Sequence, residues 1–169
     1  MRRCHRVDGG RFDQSIVPVV DEEGKVALAK DEYPRPQTTA ADLSALEPSF
    51  IKIADMPAPG GVLTFRQLIN QRYSDLVIKH FHHAGSSSGV VDGAAALLMA
   101  SARYAREHGL QPRARVVAAA NMGDDPTLML NGPVPAARKV LAKAGLSVAD
   151  IDLWEVNEAF AVVVEKFIR

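Results

Sequence analysis

Between residues 77 and 169, short apolar runs of strand character alternate with longer segments of helical period. This alternation restricts the fold more than any other feature. Residues 77–81 (Val-Ile-Lys-His-Phe) read as a strand, followed by a loop of small residues, 84–89. Residues 92–108 carry the clearest helical pattern: Ala95, Leu98, Met99 and Ala102 share one face, and Gly109 stands at the stop. Residues 115–120 form a near-continuous apolar run of the kind buried in parallel sheets. Residues 135–144 predict a second helix, with Pro135 in its first turn and Gly145 past its end. Ser147 and Asp150 open a turn, residues 151–156 read as a strand, and Asn157 starts a last helix. Strands that alternate with helices predict an α/β layered fold.

The segment before residue 77 reads differently, as an irregular α+β loop region. A short β-like run, 15–19, contains Pro18, which cannot donate to a ladder and so marks an edge. Asp21-Glu22-Glu23-Gly24 signals a turn, and residues 25–29 offer a partner strand. Residues 31–39 hold two prolines and are extended. Thr39 reads as the N-cap of a short helix over 40–46, stopped by Pro48. Residues 56–61 read as a loop, and Thr64 as the cap of a helix through Tyr73.

Composition excludes several functions. The 169 residues carry 20 Lys+Arg and 20 Asp+Glu, so the formal charge is zero and no electrostatic footprint for nucleic acid exists. A single cysteine, Cys4, cannot form an internal disulfide. At 47% apolar residues the chain is no candidate for disorder. Its longest apolar stretch, 93–102, is about half a bilayer span, and no signal-peptide core follows the basic start. A cytoplasmic protein with no membrane span is expected. The abrupt start and the stop at Arg169, inside an apolar helical pattern, point to an incomplete chain.

Four groups of residues could carry chemistry. His80, His82 and His83 cluster, but no cysteine or carboxylate stands at ligand spacing, so polar residues at a strand end are the favoured reading and no metal is assigned. In the loop 84–93, serine hydroxyls and small residues suit close approach of a ligand, and equally suit a tight turn with an N-cap. No Gly-Lys-Ser/Thr of a phosphate loop and no Gly-x-Ser-x-Gly of a hydrolase elbow occurs there. Asn157, at a strand-to-helix switch, could cap the helix or aim its amide into a site as an oxyanion donor, with Phe160 lining an apolar slot. Cys4 has basic neighbours that favour its thiolate, yet it sits at a chain end without a fixed base.

Taken in order, these segments resemble the thiolase family. Gly9-Gly10-Arg11-Phe12-Asp13-Gln14-Ser15-Ile16-Val17-Pro18-Val19 resembles its Gly-Arg-Phe-x-x-Glu-Ile-Val-Pro stretch. Asp31-Glu32-Tyr33-Pro34-Arg35 resembles its Asp-Glu-x-x-Arg, and residues 38–50 its short helix and Leu-x-Pro-x-Phe. Ala84-Gly85-Ser86-Ser87-Ser88-Gly89 with Asp92-Gly93-Ala94-Ala95-Ala96 resembles its Ala-Gly-Asn-x-Ser-Gly and Asp-Gly-Ala-Ala-Ala signature. Asn131-Gly132-Pro133-Val134-Pro135-Ala136 resembles its Thr-Gly-Pro-x-Pro-Ala, and Asn157-Glu158-Ala159-Phe160-Ala161 matches its Asn-Glu-Ala-Phe-Ala without change.

The resemblance implies a partial thiolase-like fold: a CoA-binding loop region over 1–83, the end of the N-terminal half over 84–108, and the start of the C-terminal half over 109–169. It implies acyl transfer between coenzyme A thioesters, with CoA and acyl-CoA as substrates, no cofactor, and a parent enzyme that is a homo-oligomer. It places Asn157 at the water or oxyanion near the thioester carbonyl. Phe160 and Met129 line the pantetheine and acyl slot, Ser88 meets the pantetheine amide, and Ala84 packs beside it. Arg35 meets the nucleotide end, with Leu46 and Phe50 flanking the adenine. A non-catalytic CoA-binding module and a lipid-transfer or condensing relative are the alternatives; condensing enzymes place a histidine where Asn157 stands. Some positions depart from the family. Ser86 and Val91 replace asparagines, and the Phe50–Ala84 link is longer than usual, an insertion that would shape the acyl or CoA entrance. Cys4 aligns with a helix rather than with the acylated cysteine, and neither Gly-His-Pro-x-Gly nor Cys-x-Gly-x-Gly occurs in the 169 residues.

Overall fold

The computed structural model describes Gly10 and residues 12–169. Cys4 and the start of the Gly-Arg-Phe stretch lie outside the described residues. The chain divides into two compact units, the second running from Glu47 to Arg169.

The first unit is built by local chemistry. Strands β1 (Val19–Val20) and β2 (Val26–Leu28) pair antiparallel, Val19 opposite Leu28 and Val20 opposite Val26, with an irregularity between the two pairs. The turn is made by Asp21, whose Oδ1 accepts from the N–H groups of Glu23 (3.1 Å) and Lys25 (2.8 Å). Gly24 takes φ +80°, a conformation that disfavours a side chain. Helix α1 (Ala40–Ser44) opens on a capping box: Thr39 Oγ1 accepts from Asp42 N–H at 3.2 Å, and Asp42 Oδ2 accepts from Thr39 N–H at 2.8 Å. The Thr39 N–H and, next, the Thr39 hydroxyl, which donates to the same Oδ2 at 2.7 Å, hold the Asp42 carboxyl below the ordinary carboxylate range.

In the second unit, α2 (Ile51–Ala54) and α3 (Phe65–Arg72) form a helical hairpin. The chain between them turns back through a Pro57–Thr64 bridge, with Ala58 N–H donating to Leu63 O at 2.8 Å. Arg66 closes the hairpin with two bonds to Asp55, 2.7 and 3.1 Å, and a second capping box, Thr64 with Gln67, starts α3. Helix α4 (Ala102–Glu107) follows, capped by Ser101. Helix α5 (Pro133–Ala144) ends at Gly145, φ +68°, and packs on α6 (Ala161–Ile168). The buried side chains among the described residues are small: Ala54, Ala58, Ala105 and Val163.

Several sequence expectations change here. Among the described residues, 77–81, 115–120 and 151–156 join no strand ladder. A strand exists only where a neighbour takes its N–H and C=O groups, and none lies alongside. Val77 (77% exposed), Val116 (69%) and Leu153 (89%) therefore face solvent. Two carbonyls, one in the second run and one just past it, go to lysines of α5: Lys143 Nζ donates to Ala119 O at 3.2 Å and Lys139 Nζ to Asn121 O at 2.9 Å. The helix expected over 92–108 is reduced to Ala102–Glu107. Its apolar stripe has nothing to pack on, with Leu97 and Leu98 more than nine-tenths exposed, and tertiary packing supplies most of a helix's stability. The last helix begins at Ala161, so Asn157 is not its cap. Helix α5 starts two residues earlier than expected, at Pro133.

Candidate functional site

The site starts from two backbone links. Ser88 N–H donates to Ala159 O at 2.9 Å, and Ser87 forms an isolated antiparallel bridge with Phe160. They join the serine loop to the Asn-Glu-Ala-Phe segment, two motifs singled out separately in the sequence. The same links explain the late start of α6: Phe160 is held extended at φ −141°, ψ 149°, so helical backbone can begin only after it.

The Phe160 ring then meets Phe50 (centroids 5.8 Å apart) and His82 (4.9 Å), both within the range of favourable aromatic pairs. Ser49 N–H donates to His82 O at 2.8 Å, which pins the returning chain beside Phe50. Phe50, Phe160 and Met129 line one cavity of about 630 Å³, within the size range of small-molecule sites. The sequence had set Phe50 beside the adenine and the other two in the pantetheine slot; the structure puts all three on the same cavity.

Met129 arrives by a strained route. It and Leu130 take φ +50° and +53°, rare for residues with side chains. Asp125 holds this loop. Its Oδ2 accepts from Arg72 Nε at 2.9 Å and Tyr73 Oη at 3.1 Å, and its Oδ1 from Thr127 N–H at 2.8 Å. The Thr127 N–H first, then the Tyr73 hydroxyl and the Arg72 guanidinium, keep its carboxyl below the ordinary range. Sequence reasoning missed Asp125; the turn signal Gly123-Asp124-Asp125-Pro126 was the available clue.

Ala84, Ser88, Asn157, Arg35 and Leu46 are not among the residues that line this cavity. Asn157 is exposed and is not among the cavity-lining residues. Ala84 opens a 3₁₀ turn, Ala84–Ser86, which His83 caps by accepting from Gly85 N–H at its Nδ1 (3.1 Å). Ser88 is exposed. Arg35 and Leu46 belong to the first unit, where the Arg35 guanidinium lies 5.3 Å from the centre of the Tyr33 ring. Of the three histidines, His80 and His82 both line the cavity, His82 against Phe160, and His83 caps the turn. Among the described residues no group of three or more His, Cys, Asp or Glu side chains converges on a point.

Residues 110–169 match the family profile "Thiolase, C-terminal domain". A 3-ketoacyl-CoA thiolase of Cronobacter sakazakii is 43% identical over 155 residues, 90% of this chain and 34% of that protein. The crystal structure of an acetyl-CoA acetyltransferase from Bacillus anthracis superposes with a TM-score of 0.72 at 36% identity, covering 97% of this chain and 36% of the other. Human mitochondrial 3-ketoacyl-CoA thiolase in complex with CoA superposes at 0.71, also at 36% identity, covering 98% and 35%. The backbone follows a partial α/β thiolase-like path even where its strands lack ladders. The chain spans about a third of the length of these relatives, and over that span it belongs to the thiolase family.

Proposed function

We propose that the chain is part of a thiolase-type acyltransferase, moving acyl groups between coenzyme A thioesters by 3-ketoacyl-CoA thiolysis or acetoacetyl-CoA formation. The observation that carries this reading is the convergence of Phe50, Met129 and Phe160 on one cavity. Aromatic and thioether walls suit a thin, weakly polar pantetheine arm and the acyl group beyond it. The Ser88 hydroxyl meets a pantetheine amide, next to Ala84, where only a methyl group stands. Arg35 and Leu46 keep the nucleotide-end roles that the resemblance implies. Asn157 holds the water or oxyanion at the thioester carbonyl. Coenzyme A is a substrate and no resident cofactor is invoked. The parent enzyme is read as a cytoplasmic homo-oligomer. The relatives named as 3-ketoacyl-CoA thiolase and acetyl-CoA acetyltransferase, one of them in complex with CoA, support the reading.

The chemistry needs a cysteine to accept the acyl group and a further cysteine and histidine to handle protons. Cys4 is the single cysteine of these 169 residues. That observation favours a second reading, in which this chain binds CoA thioesters without turning them over. Catalytic groups that act as a unit lose nearly everything when one is removed. The isolated chain is therefore expected to bind CoA in calorimetric titration and to show no thiolysis of acetoacetyl-CoA. Phe160→Ala removes an aromatic wall of the cavity, and loss of one ligand–aromatic contact worth about 1.4 kcal/mol should weaken CoA binding by roughly tenfold. Turnover by the isolated chain would overturn the inactivity, and equal CoA affinity in the Phe160→Ala variant would remove the cleft from the proposal.

A further inference from the structure

We propose that His83 is a pH-sensitive positioning residue: its neutral ring locks the serine loop 84–88, and that loop holds Phe160 on the cavity wall. The lock stands apart from the acyl-transfer reading; only its effect on CoA binding rests on that reading. His83 Nδ1 accepts from Gly85 N–H at 3.1 Å, and the residue is half-buried. This bond joins a side chain to the N–H two residues on, as Asn and Asp side chains do when they close a turn. A neutral imidazole has one accepting nitrogen, whereas in the protonated ring both nitrogens donate. Gly85 N–H therefore has its partner only while Nδ1 carries no proton. Histidine is the side chain that ordinarily changes charge between about pH 5 and 8, which an Asn cap does not do. The ring's ionisable neighbours are Lys79, His80 and His82 on its own segment, Asp92 beyond the loop, and Glu158 across the Ser88–Ala159 link. Among the described residues none of these forms a hydrogen bond or ion pair with the ring.

The loop depends on bonds more than on packing, since Ala84, Gly85 and Ser88 face solvent. Several of those bonds meet at His83. Its N–H donates to Ser86 Oγ at 3.1 Å. Its carbonyl accepts from the Ser86 N–H at 2.9 Å and from the Ser86 and Ser87 hydroxyls, each at 3.2 Å. The Gly85 bond is the one in this set that a proton on the ring removes. From the same loop, Ser88 N–H reaches Ala159 O at 2.9 Å and Ser87 bridges Phe160. Both links run through backbone, so they follow the path of the loop and not its serine side chains. They keep Phe160 extended at φ −141°, with its ring against Phe50 and His82 on the cavity. Helix α6 begins at the next residue. Released from the loop, residue 160 can join the first turn of α6, and its ring then leaves the wall.

The test is an NMR titration of the 169-residue chain from about pH 8 to pH 5, which covers the ordinary range of imidazole. The signals followed are the His83 ring and the Gly85 and Ser88 amides. The Ser88 amide is read in place of the Phe160 ring, because His82 titrates against that ring. All three signals should move with one midpoint. In His83→Asn an acceptor oxygen stands where Nδ1 stood and does not titrate, so both amides should stay still over this range. In His83→Ala both amides should hold their acid-form positions throughout. Calorimetry with CoA at the two ends of the range then measures the consequence. On acidification the unaltered chain should lose about fivefold more affinity than His83→Asn, the worth of one capping bond. The comparison between the two proteins cancels the titration of the CoA phosphates and of His80 and His82. Gly85 and Ser88 amides that do not follow the His83 ring, or that titrate unchanged in His83→Asn, overturn the proposal. Should the variants not fold, the three signals of the unaltered chain decide it alone. Amides that titrate with the ring in a chain that binds no CoA uphold the lock and overturn the thioester reading instead.

Discussion

Asp125 shows how much one side chain can organise. It is 15% exposed and joins three partners: the end of α3 through Arg72 and Tyr73, and its own loop through the Thr127 N–H. That loop delivers Met129 to the cleft in a left-handed conformation that needs support from its surroundings. The Asp125 carboxyl sits below its ordinary value, so its contribution is fully present above the unfolded-state pKa of about 3.9 and is lost as pH falls through its lower folded value. Acidification through that range should shift the Met129 methyl resonance before the bulk of the structure unfolds. Asp125→Asn should remove this acid-side transition. An unchanged Met129 titration in the variant would assign the transition to another carboxylate. At this scale the sequence was a partial guide. Phe160 and Met129 were marked as slot residues and stand on one cavity. Asp125 was not marked, because its partners Arg72 and Tyr73 lie far off in sequence.

Among the elements, those closed by their own nearest residues were legible. Thr39 and Thr64 were read as caps, and both make capping boxes. The turn at Asp21-Gly24 and the helix stop at Gly145 are also present as read. Each depends on bonds within about four residues, so pattern and structure report the same physics. Thr64→Ala should cost about 1 kcal/mol by leaving the Gln67 N–H at the start of α3 without its partner. Loss of ellipticity at the helix band and a lower urea midpoint would measure it. An unchanged midpoint would mean that packing against α2, rather than the cap, sets the stability of α3. Gly145→Ala probes the opposite end of a helix. An added Cβ would meet nothing within 4 Å, so any loss of stability is purely the cost of φ +68°. A loss of about 1 kcal/mol is expected from chemical denaturation.

For the whole molecule, the same alternation of strand and helix patterns has a different outcome. Residues 77–81, 115–120 and 151–156 were read as strands and 92–108 as an amphipathic helix, yet they include some of the most exposed apolar side chains, such as Val77, Leu97, Leu98 and Leu153. Exposed apolar surface of this kind binds hydrophobic dyes and promotes association. The isolated chain should therefore enhance the fluorescence of an anilinonaphthalene dye and scatter light increasingly with concentration. A dye-silent, monomeric chain would show that these segments are covered in solution. By itself the sequence determined the family, the α/β character, the caps at Thr39 and Thr64 and the turn at Asp21-Gly24, because motifs, period and nearest-neighbour hydrogen bonds are local properties. Only the tertiary structure decided which patterned segments became elements and which residues shared a cavity. Ladder partners, a surface for an apolar helix face, and the links from Ser88 to Ala159 and from Arg72 to Asp125 join residues distant in the chain, where no local pattern specifies the contact.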